Sequence, residues 1–118
     1  MSEKVSVDRV EALILDVPTI RPHVLAMATM RVQSMVIVRI FCADGSVGIG
    51  EGTTIGGLSY GEESPESIQL TIERYCAPVV LAGDANRPAA IMQQLAVIAV
   101  GNRFAKCAVE TALFRFRA

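Results

Sequence analysis

The chain has 118 residues, a formal net charge of −1 from 11 basic and 12 acidic residues, and a hydrophobic fraction of 52%. This length suits one domain with a buried core. The balanced charge and the low aromatic content of 5% argue against nucleic acid as a partner. No apolar run approaches the ~18 residues of a membrane helix, and charged residues precede the first apolar run, so neither a membrane span nor a signal peptide is predicted.

The first half of the chain has the pattern of an antiparallel meander, with strands predicted over residues 5–17, 32–42 and 46–51. Pro18 closes the first strand, whose centre is apolar on both faces and is therefore expected to be covered on both sides. Residues 19–30 contain Pro22 and no clear period, which predicts a loop. Asp44 and Gly45 stand between the second and third strands as a strong hairpin signal.

The second half changes to a helical period, with helices predicted over residues 65–82, 88–100 and 102–115. Ser64 and Pro65 have the residue types of an N-cap and a first helical position. Pro78 is expected to end or kink the first helix, and Asn102 to cap the third. The predicted fold class is therefore α+β, a three-stranded antiparallel meander followed by a three-helix bundle in a single domain over residues 1–118.

Few side chains in this sequence indicate catalysis. The cysteines Cys42, Cys76 and Cys107 are far apart and lack the spacing of a metal site, so buried reduced thiols in a cytoplasmic protein are expected. His23, the only histidine, lies in a predicted loop. A lone loop histidine is usually a surface residue, and contact with an anionic ligand is the alternative.

Several acidic residues also have a structural interpretation. Glu62, Glu63 and Glu66 lie before or inside the start of the first predicted helix, where a negative charge favours the helix dipole. Lys106 and Glu110 have the spacing of an i,i+4 ion pair on the third helix. None of these residues is predicted to act as a general acid or base.

Residues 48–61 form a glycine-rich segment that begins as the third strand and continues as a loop. It lacks the Gly-Lys-Ser/Thr ending of a phosphate loop and the spacing of a dinucleotide-binding fingerprint. Ile55 and Tyr60 stand among the glycines with little local core to join, which indicates a mobile loop presenting an apolar side chain and a phenolic hydroxyl outward. Several of its glycines are predicted to supply hinge freedom, as in lids that close over a substrate: Gly50, Gly52, Gly56 and Gly57.

Four segments of the sequence resemble a known family. They are residues 17–23 (Val-Pro-Thr-Ile-Arg-Pro-His), 48–61, 63–66 (Glu-Ser-Pro-Glu) and 101–106 (Gly-Asn-Arg-Phe-Ala-Lys). Together they resemble the N-terminal domain of bacterial muconate cycloisomerases, also called muconate lactonizing enzymes, in the enolase superfamily. The segment Thr-Thr-Ile-Gly-Gly-x-x-Tyr-Gly is the most specific of them and favours the muconate enzymes over the chloromuconate enzymes.

The resemblance implies a domain that caps the mouth of a (β/α)-barrel, and this barrel is absent from the chain. Two loops of such a domain close over a small dicarboxylate substrate; His23 lies in the first, and Thr54, Ile55, Gly56 and Tyr60 lie in the second. The implied reaction is the lactonisation of cis,cis-muconate to muconolactone in the catechol (β-ketoadipate) route of aromatic catabolism. The catalytic lysines and the ligands of Mn²⁺ or Mg²⁺ are implied to lie in the barrel, so this chain is expected to hold no catalytic or metal-binding residue and to be inactive alone.

Two alternatives stay open. The chain could be a non-catalytic interaction or oligomerisation module of the same fold, consistent with its apolar content. It could also cap a chloromuconate cycloisomerase or another enolase-superfamily enzyme, acting on a substituted muconate or an N-acylamino acid. The sequence does not decide whether it forms a homo-oligomer. Residues 114–118 (Phe-Arg-Phe-Arg-Ala) depart from the polar stretch that the resemblance leads one to expect.

Overall fold

A computed structural model of the chain describes residues 3–24, 29–55, 57–58 and 61–114. One antiparallel sheet, ordered β1-β2-β3, is formed by β1 (Val7–Val24), β2 (Thr29–Cys42) and β3 (Val47–Thr53). The helical half contains α1 (Pro65–Thr71), a π-helical turn (Ile72–Cys76), α2 (Ala77–Ala82), α3 (Pro88–Ile98) and α4 (Arg103–Leu113). The predicted α+β class, with a meander followed by helices, is confirmed. Phe114 is the last described residue, so the rest of the departure noted over residues 114–118 lies outside the described residues.

The first two strands are longer than the sequence predicts. Residues 19–30 are not a loop throughout, because β1 continues to Val24 and β2 already begins at Thr29. Pro18 and Pro22 each lack a backbone N–H, yet the fixed φ of proline is compatible with extended backbone. The pairing is therefore irregular here, with a register shift, and the two strands form a ribbon that extends past the end of β3.

The turn between β2 and β3 is the hairpin that the sequence predicts. Gly45 has φ +87°, a left-handed conformation that glycine adopts without strain. Asp44 Oδ1 accepts the backbone N–H of Ser46 at 2.9 Å, and the N–H of Cys42 donates to the Ser46 carbonyl at 2.9 Å. These local bonds fix the register of β3 on β2.

The helices cover one face of the sheet and leave the other open. Val36, Val38 and Ile40 of β2 have no exposed surface and form the core with the helices. The opposite face, here called the open face, carries many apolar side chains: Leu13, Leu15, Val17, Met35, Ile37, Phe41, Val47 and Ile49. It also carries charged side chains: Arg9, Glu11, Arg39 and Glu51. Leu13 is 41% and Ile49 61% exposed. The expectation that β1 is covered on both sides is therefore wrong for the described part of the chain.

The start of α1 follows the sequence prediction. The Ser64 hydroxyl accepts the backbone N–H of Ser67 at 3.1 Å, and Ser67 Oγ accepts the backbone N–H of Ser64 at 2.8 Å. This reciprocal pair satisfies two backbone donors, and Pro65 in the first turn has no N–H to satisfy. Ser64 is the N-cap, as predicted.

Pro78 does not end the first helical segment. The chain passes from α1 through the π-helical turn into α2, and the N–H of Ala77 donates to the carbonyl of Ile72. Because proline lacks an N–H and crowds the preceding turn, one wider turn before it lets the helix continue to Ala82.

Helix α4 packs directly on β3, and glycine makes this approach possible. The burial of β3 alternates strictly, with the glycines of the strand on the covered face. A Cβ added to Gly50 would lie 1.9 Å from the backbone oxygen of Ala108, and one added to Gly52 would lie 3.2 Å from the backbone oxygen of Phe104. The prediction that Gly50 and Gly52 act as hinges is therefore wrong, since both are fixed packing positions.

We predict that Gly50→Ala lowers the free energy of unfolding by about 3 kcal/mol, because its Cβ would overlap a backbone atom of α4 that no rotamer change can move away. Gly61→Ala is the matched control: its Cβ would meet only the Phe104 ring, at 3.7 Å. This control should change stability by less than about 1 kcal/mol. Urea denaturation followed by circular dichroism measures both, and equal effects of the two substitutions would contradict the packing argument.

Candidate functional site

The two segments expected to contact substrate leave the sheet at the same end. Because β1 and β2 are antiparallel, the end of β1 lies beside the start of β2. β3 also ends there, where Thr53 pairs with Met35. The β1–β2 ribbon and the loop after β3 (residues 54–61) are therefore neighbours at this end of the sheet.

Thr54 joins the loop after β3 to β2. It is only 5% exposed. Its carbonyl accepts a hydrogen bond from Gln33 Nε2 at 2.8 Å, and the same nitrogen lies 3.2 Å from the Ser34 carbonyl. The predicted site residue Thr54 is thus held beside the start of β2, and Gln33 is a contributor that the sequence prediction missed.

The rest of the loop after β3 is described in part. Ile55 is half-buried, and Leu58 is 65% exposed. Gly57 has φ +62° with open space around it, a conformation that favours glycine. The predicted site residues Gly56 and Tyr60 lie outside the described residues.

His23 lies in a strand, so its predicted place in a loop is wrong. Its backbone pairs with Met30 across the β1–β2 ribbon, beyond the register shift. The structure therefore brings His23 to the same end of the sheet as Thr54 and Ile55.

Glu63 caps the N-terminus of α4. Its Oε2 accepts the backbone N–H of Phe104 at 2.9 Å and its Oε1 accepts that of Ala105 at 3.1 Å, and the residue is only 9% exposed. A carboxylate at this position satisfies open helix donors and complements the helix dipole. The expectation that Glu63 serves the first helix is wrong, because its carboxylate binds a helix about 40 residues further along the chain.

The same contact corrects the expected cap of α4. Asn102 has a left-handed backbone with φ 51°, and its side chain donates to the Val100 carbonyl at 2.9 Å. Asn102 therefore makes no side-chain cap, and Glu63 takes that role across the fold.

A small cavity of about 190 Å³ lies at this end of the molecule. It is lined by residues from β2, the loop after β3 and the start of α1: Val32, Gln33, Ser34, Thr54, Gly57, Pro65 and Glu66. Ligand pockets commonly enclose roughly 300–1,000 Å³. The arrangement is better suited to form one wall of a site than to enclose a ligand.

The described residues do not fit a metal site, because no three His, Cys, Asp or Glu side chains among them lie close enough to hold an ion. In the same part of the chain, no helix is both long and apolar enough to cross a membrane.

The described ion pairs both involve Glu11, which binds Arg9 at 3.2 Å and also binds Arg39. The predicted pair between Lys106 and Glu110 is not among them.

The three cysteines differ in their accessibility to solvent. Cys42 and Cys76 are buried, but Cys107 is exposed, which corrects the expectation that all three are buried. Burial raises the pKa of the Cys76 thiol to about 11, although Lys106 acts in the opposite direction. Cys76 is therefore a neutral thiol at neutral pH and is poorly suited to nucleophilic chemistry.

Solved structures define the class of this domain. The muconate lactonizing enzyme from Pseudomonas fluorescens complexed with muconolactone matches 94% of this chain with a TM-score of 0.90 and 49% sequence identity. The match uses 30% of that chain. The meander with helices on one face is the N-terminal domain of enolase-superfamily enzymes.

The sequence comparisons give the family. Residues 9–118 match the mandelate racemase / muconate lactonizing enzyme N-terminal domain family. Muconate cycloisomerase 1-2 of Acinetobacter lwoffii is 61% identical over 110 residues, and the chloromuconate cycloisomerase of Cupriavidus pinatubonensis is 43% identical over 112 residues. These matches cover 93% and 95% of this chain. The chain belongs to the mandelate racemase / muconate lactonizing enzyme family.

This chain spans less than a third of its relatives. It covers 29% of the Acinetobacter lwoffii protein and 30% of the Cupriavidus pinatubonensis protein. The similarity to both therefore concerns their N-terminal domain.

We predict that one thiol of the native chain, Cys107, reacts rapidly with a disulfide reagent such as DTNB at pH 8. Cys42 and Cys76 should react only after unfolding in urea, because burial denies the reagent access. The Cys107→Ser variant should lose the rapid phase. Rapid reaction of two or more thiols in the folded chain would contradict the described core.

Proposed function

We propose that this chain is the capping domain of a muconate cycloisomerase, which lactonises cis,cis-muconate to muconolactone in aromatic catabolism. One observation carries the proposal: the two segments expected to contact substrate leave the sheet at one end and are joined there by the Gln33–Thr54 hydrogen bond. Membership of the family and 61% identity to a muconate cycloisomerase support the same activity.

The chain's part in the proposed reaction is to bind the substrate and exclude water. Ile55 would contact the carbon skeleton of the substrate, while His23 and the hydroxyl of Tyr60 would contact its polar groups. Excluding water strengthens the electrostatic interactions around a reacting carboxylate. Thr54 and Gly56 would shape the loop on which Ile55 lies. No proton transfer is assigned to this chain.

The catalytic groups of the proposed enzyme would belong to a barrel domain outside this chain. The described residues offer no set of metal ligands, so a Mn²⁺ or Mg²⁺ ion would have to be held there. A divalent ion supplies electrostatic stabilisation of the negative charge that develops on the substrate. The incomplete site at the sheet end agrees with a domain that contributes one wall of a shared site.

The proposed substrate is muconate rather than chloromuconate. The identity to the Acinetobacter lwoffii muconate cycloisomerase, 61%, exceeds the 43% found for the Cupriavidus pinatubonensis chloromuconate cycloisomerase. Substituted muconates and N-acylamino acids are the competing substrates that an assay should include.

The test joins residues 1–114 to the remaining domain of the Acinetobacter lwoffii enzyme and follows the loss of muconate absorbance in the presence of Mn²⁺. We expect turnover by the joined protein and none by the 118-residue chain. Ile55→Ala should lower kcat/KM for muconate by roughly 10- to 200-fold, the range for lost apolar contacts in a substrate pocket. Leu70→Ala, an equally apolar truncation at an exposed position of α1, is the control and should leave kcat/KM unchanged.

Two results would contradict this proposal. If the joined protein folds but turns over none of the muconates, the proposed activity is wrong. If the Ile55→Ala and Leu70→Ala variants have equal kinetics, the proposed contact of Ile55 with substrate is wrong, while the activity stands.

A second candidate function, a non-catalytic module that associates with another copy of itself, is favoured by the open face. Its side chains Leu13, Leu15 and Val17 are each more than 40% exposed, and Ile49 is 61% exposed. Apolar side chains that lie side by side on a sheet are typical of a surface that another protein covers.

For this second candidate, light scattering should detect dimers of the 118-residue chain, and Ile49→Lys should convert them to monomers by replacing an apolar contact with a second positive charge beside Arg39. Val97→Lys, at an 83% exposed position of α3, is the control and should leave the mass unchanged. A monodisperse monomer before any substitution would exclude self-association.

A further inference from the structure

The start of the loop after β3 is attached to β2 by a side-chain hydrogen bond, where backbone pairing between the two strands has ended. Backbone pairing between β2 and β3 ends where Met35 lies opposite Thr53. The next carbonyl, that of the buried residue Thr54, accepts its hydrogen bond from Gln33 Nε2 at 2.8 Å. Buried carbonyls require a donor. The Gln33 side chain thus continues the attachment of β3 to β2 past the last backbone pair.

Two residues after this loop, Glu63 attaches the chain to α4. Both of its carboxylate oxygens accept backbone N–H groups of α4, at 2.9 and 3.1 Å. Glu63 is nearly buried, and a buried carboxylate that lost these donors would be left without compensation for its lost hydration. The chain is therefore attached to β2 at Thr54 and to α4 at Glu63.

Gln33 also connects this segment to the β1–β2 ribbon. Its backbone lies opposite Val17 of β1, two residues from the point where the ribbon changes register. The same residue therefore belongs to the ribbon that carries His23 and binds the residue next to Ile55. A displacement of the ribbon at this position would move the Thr54 carbonyl with it.

We propose that Gln33 is a positioning residue of the substrate site, which through the Thr54 carbonyl sets the place of the adjacent Ile55 and couples it to the β1–β2 ribbon. The inference rests on the proposed function, because it assigns Ile55 to the substrate wall. Gln33 acts through Thr54 and is assigned no contact with substrate.

The kinetic test uses the joined protein described above. Gln33→Glu keeps the size of the side chain but turns an amide donor into a carboxylate that faces two carbonyl oxygens. We expect KM for muconate to rise roughly tenfold and kcat to change less than about twofold, since a misplaced wall weakens binding.

The control is Gln94→Glu, the same chemical change at an exposed position of α3, which should leave KM and kcat unchanged. A merely structural role of Gln33 would reduce the amount of folded enzyme and so lower the apparent kcat at constant KM. That pattern would overturn the proposal.

A second measurement does not depend on activity. Hydrogen exchange of the 118-residue chain should become at least roughly threefold faster over residues 54–62 in Gln33→Glu, while α3 keeps its rate. Unchanged exchange over residues 54–62 would overturn the proposal. If the joined protein has no activity but the exchange rates change as expected, the substrate assignment fails while the anchoring by Gln33 stands. Accelerated exchange with an unchanged KM in an active protein would overturn the positioning role.

Discussion

The close packing of α4 on β3 is the contact on which the rest of this domain depends. Only a strand without side chains on one face lets the helix backbone approach so near, and Gly50 and Gly52 supply that face. The alanines of α4, Ala105, Ala108 and Ala112, are fully buried against it. The position of α4 is therefore closely fixed, because a methyl group added to Gly50 or Gly52 would meet the backbone of the helix. The start of α4 is thereby placed where the Glu63 carboxylate can reach its free N–H groups.

The packing of α4 on β3 also helps to position the candidate site. Gln33 fixes the beginning of the loop after β3 on β2, and Glu63, two residues beyond this loop, is attached to α4. The chain on both sides of this loop is therefore attached to elements whose relative position is set by the core. A domain built in this way can present Ile55 at a defined place, although the cavity at this end of the sheet has a volume of only about 190 Å³. Under the proposed function, Ile55 would contribute to substrate selection in a site shared with a second domain.

The sequence predicts the parts of this architecture that depend on local signals. The Asp44-Gly45 turn and the Ser64–Ser67 capping box each join residues within three positions, so the residue types indicate the structure directly. The roles of Glu63 and Gly50 depend on contacts with α4 that no local pattern contains. Pro18 and Pro22 favour a loop in the sequence, although the pairing found there needs only extended backbone. Thr54 and Ile55 were predicted as site residues from the family resemblance, whereas Gln33 carried no signal, because an isolated glutamine on a strand has no characteristic pattern.

The most direct test of the account is a crystal structure of the joined protein with muconolactone bound, read for the distance between the Ile55 side chain and the ligand. Because apolar groups in contact approach within about 4.5 Å, the account predicts a separation at or below that value. It also predicts that the Gln33–Thr54 and Glu63–α4 hydrogen bonds are retained. A ligand bound in the barrel with Ile55 well beyond contact distance would contradict the claim that this domain forms a wall of the substrate site.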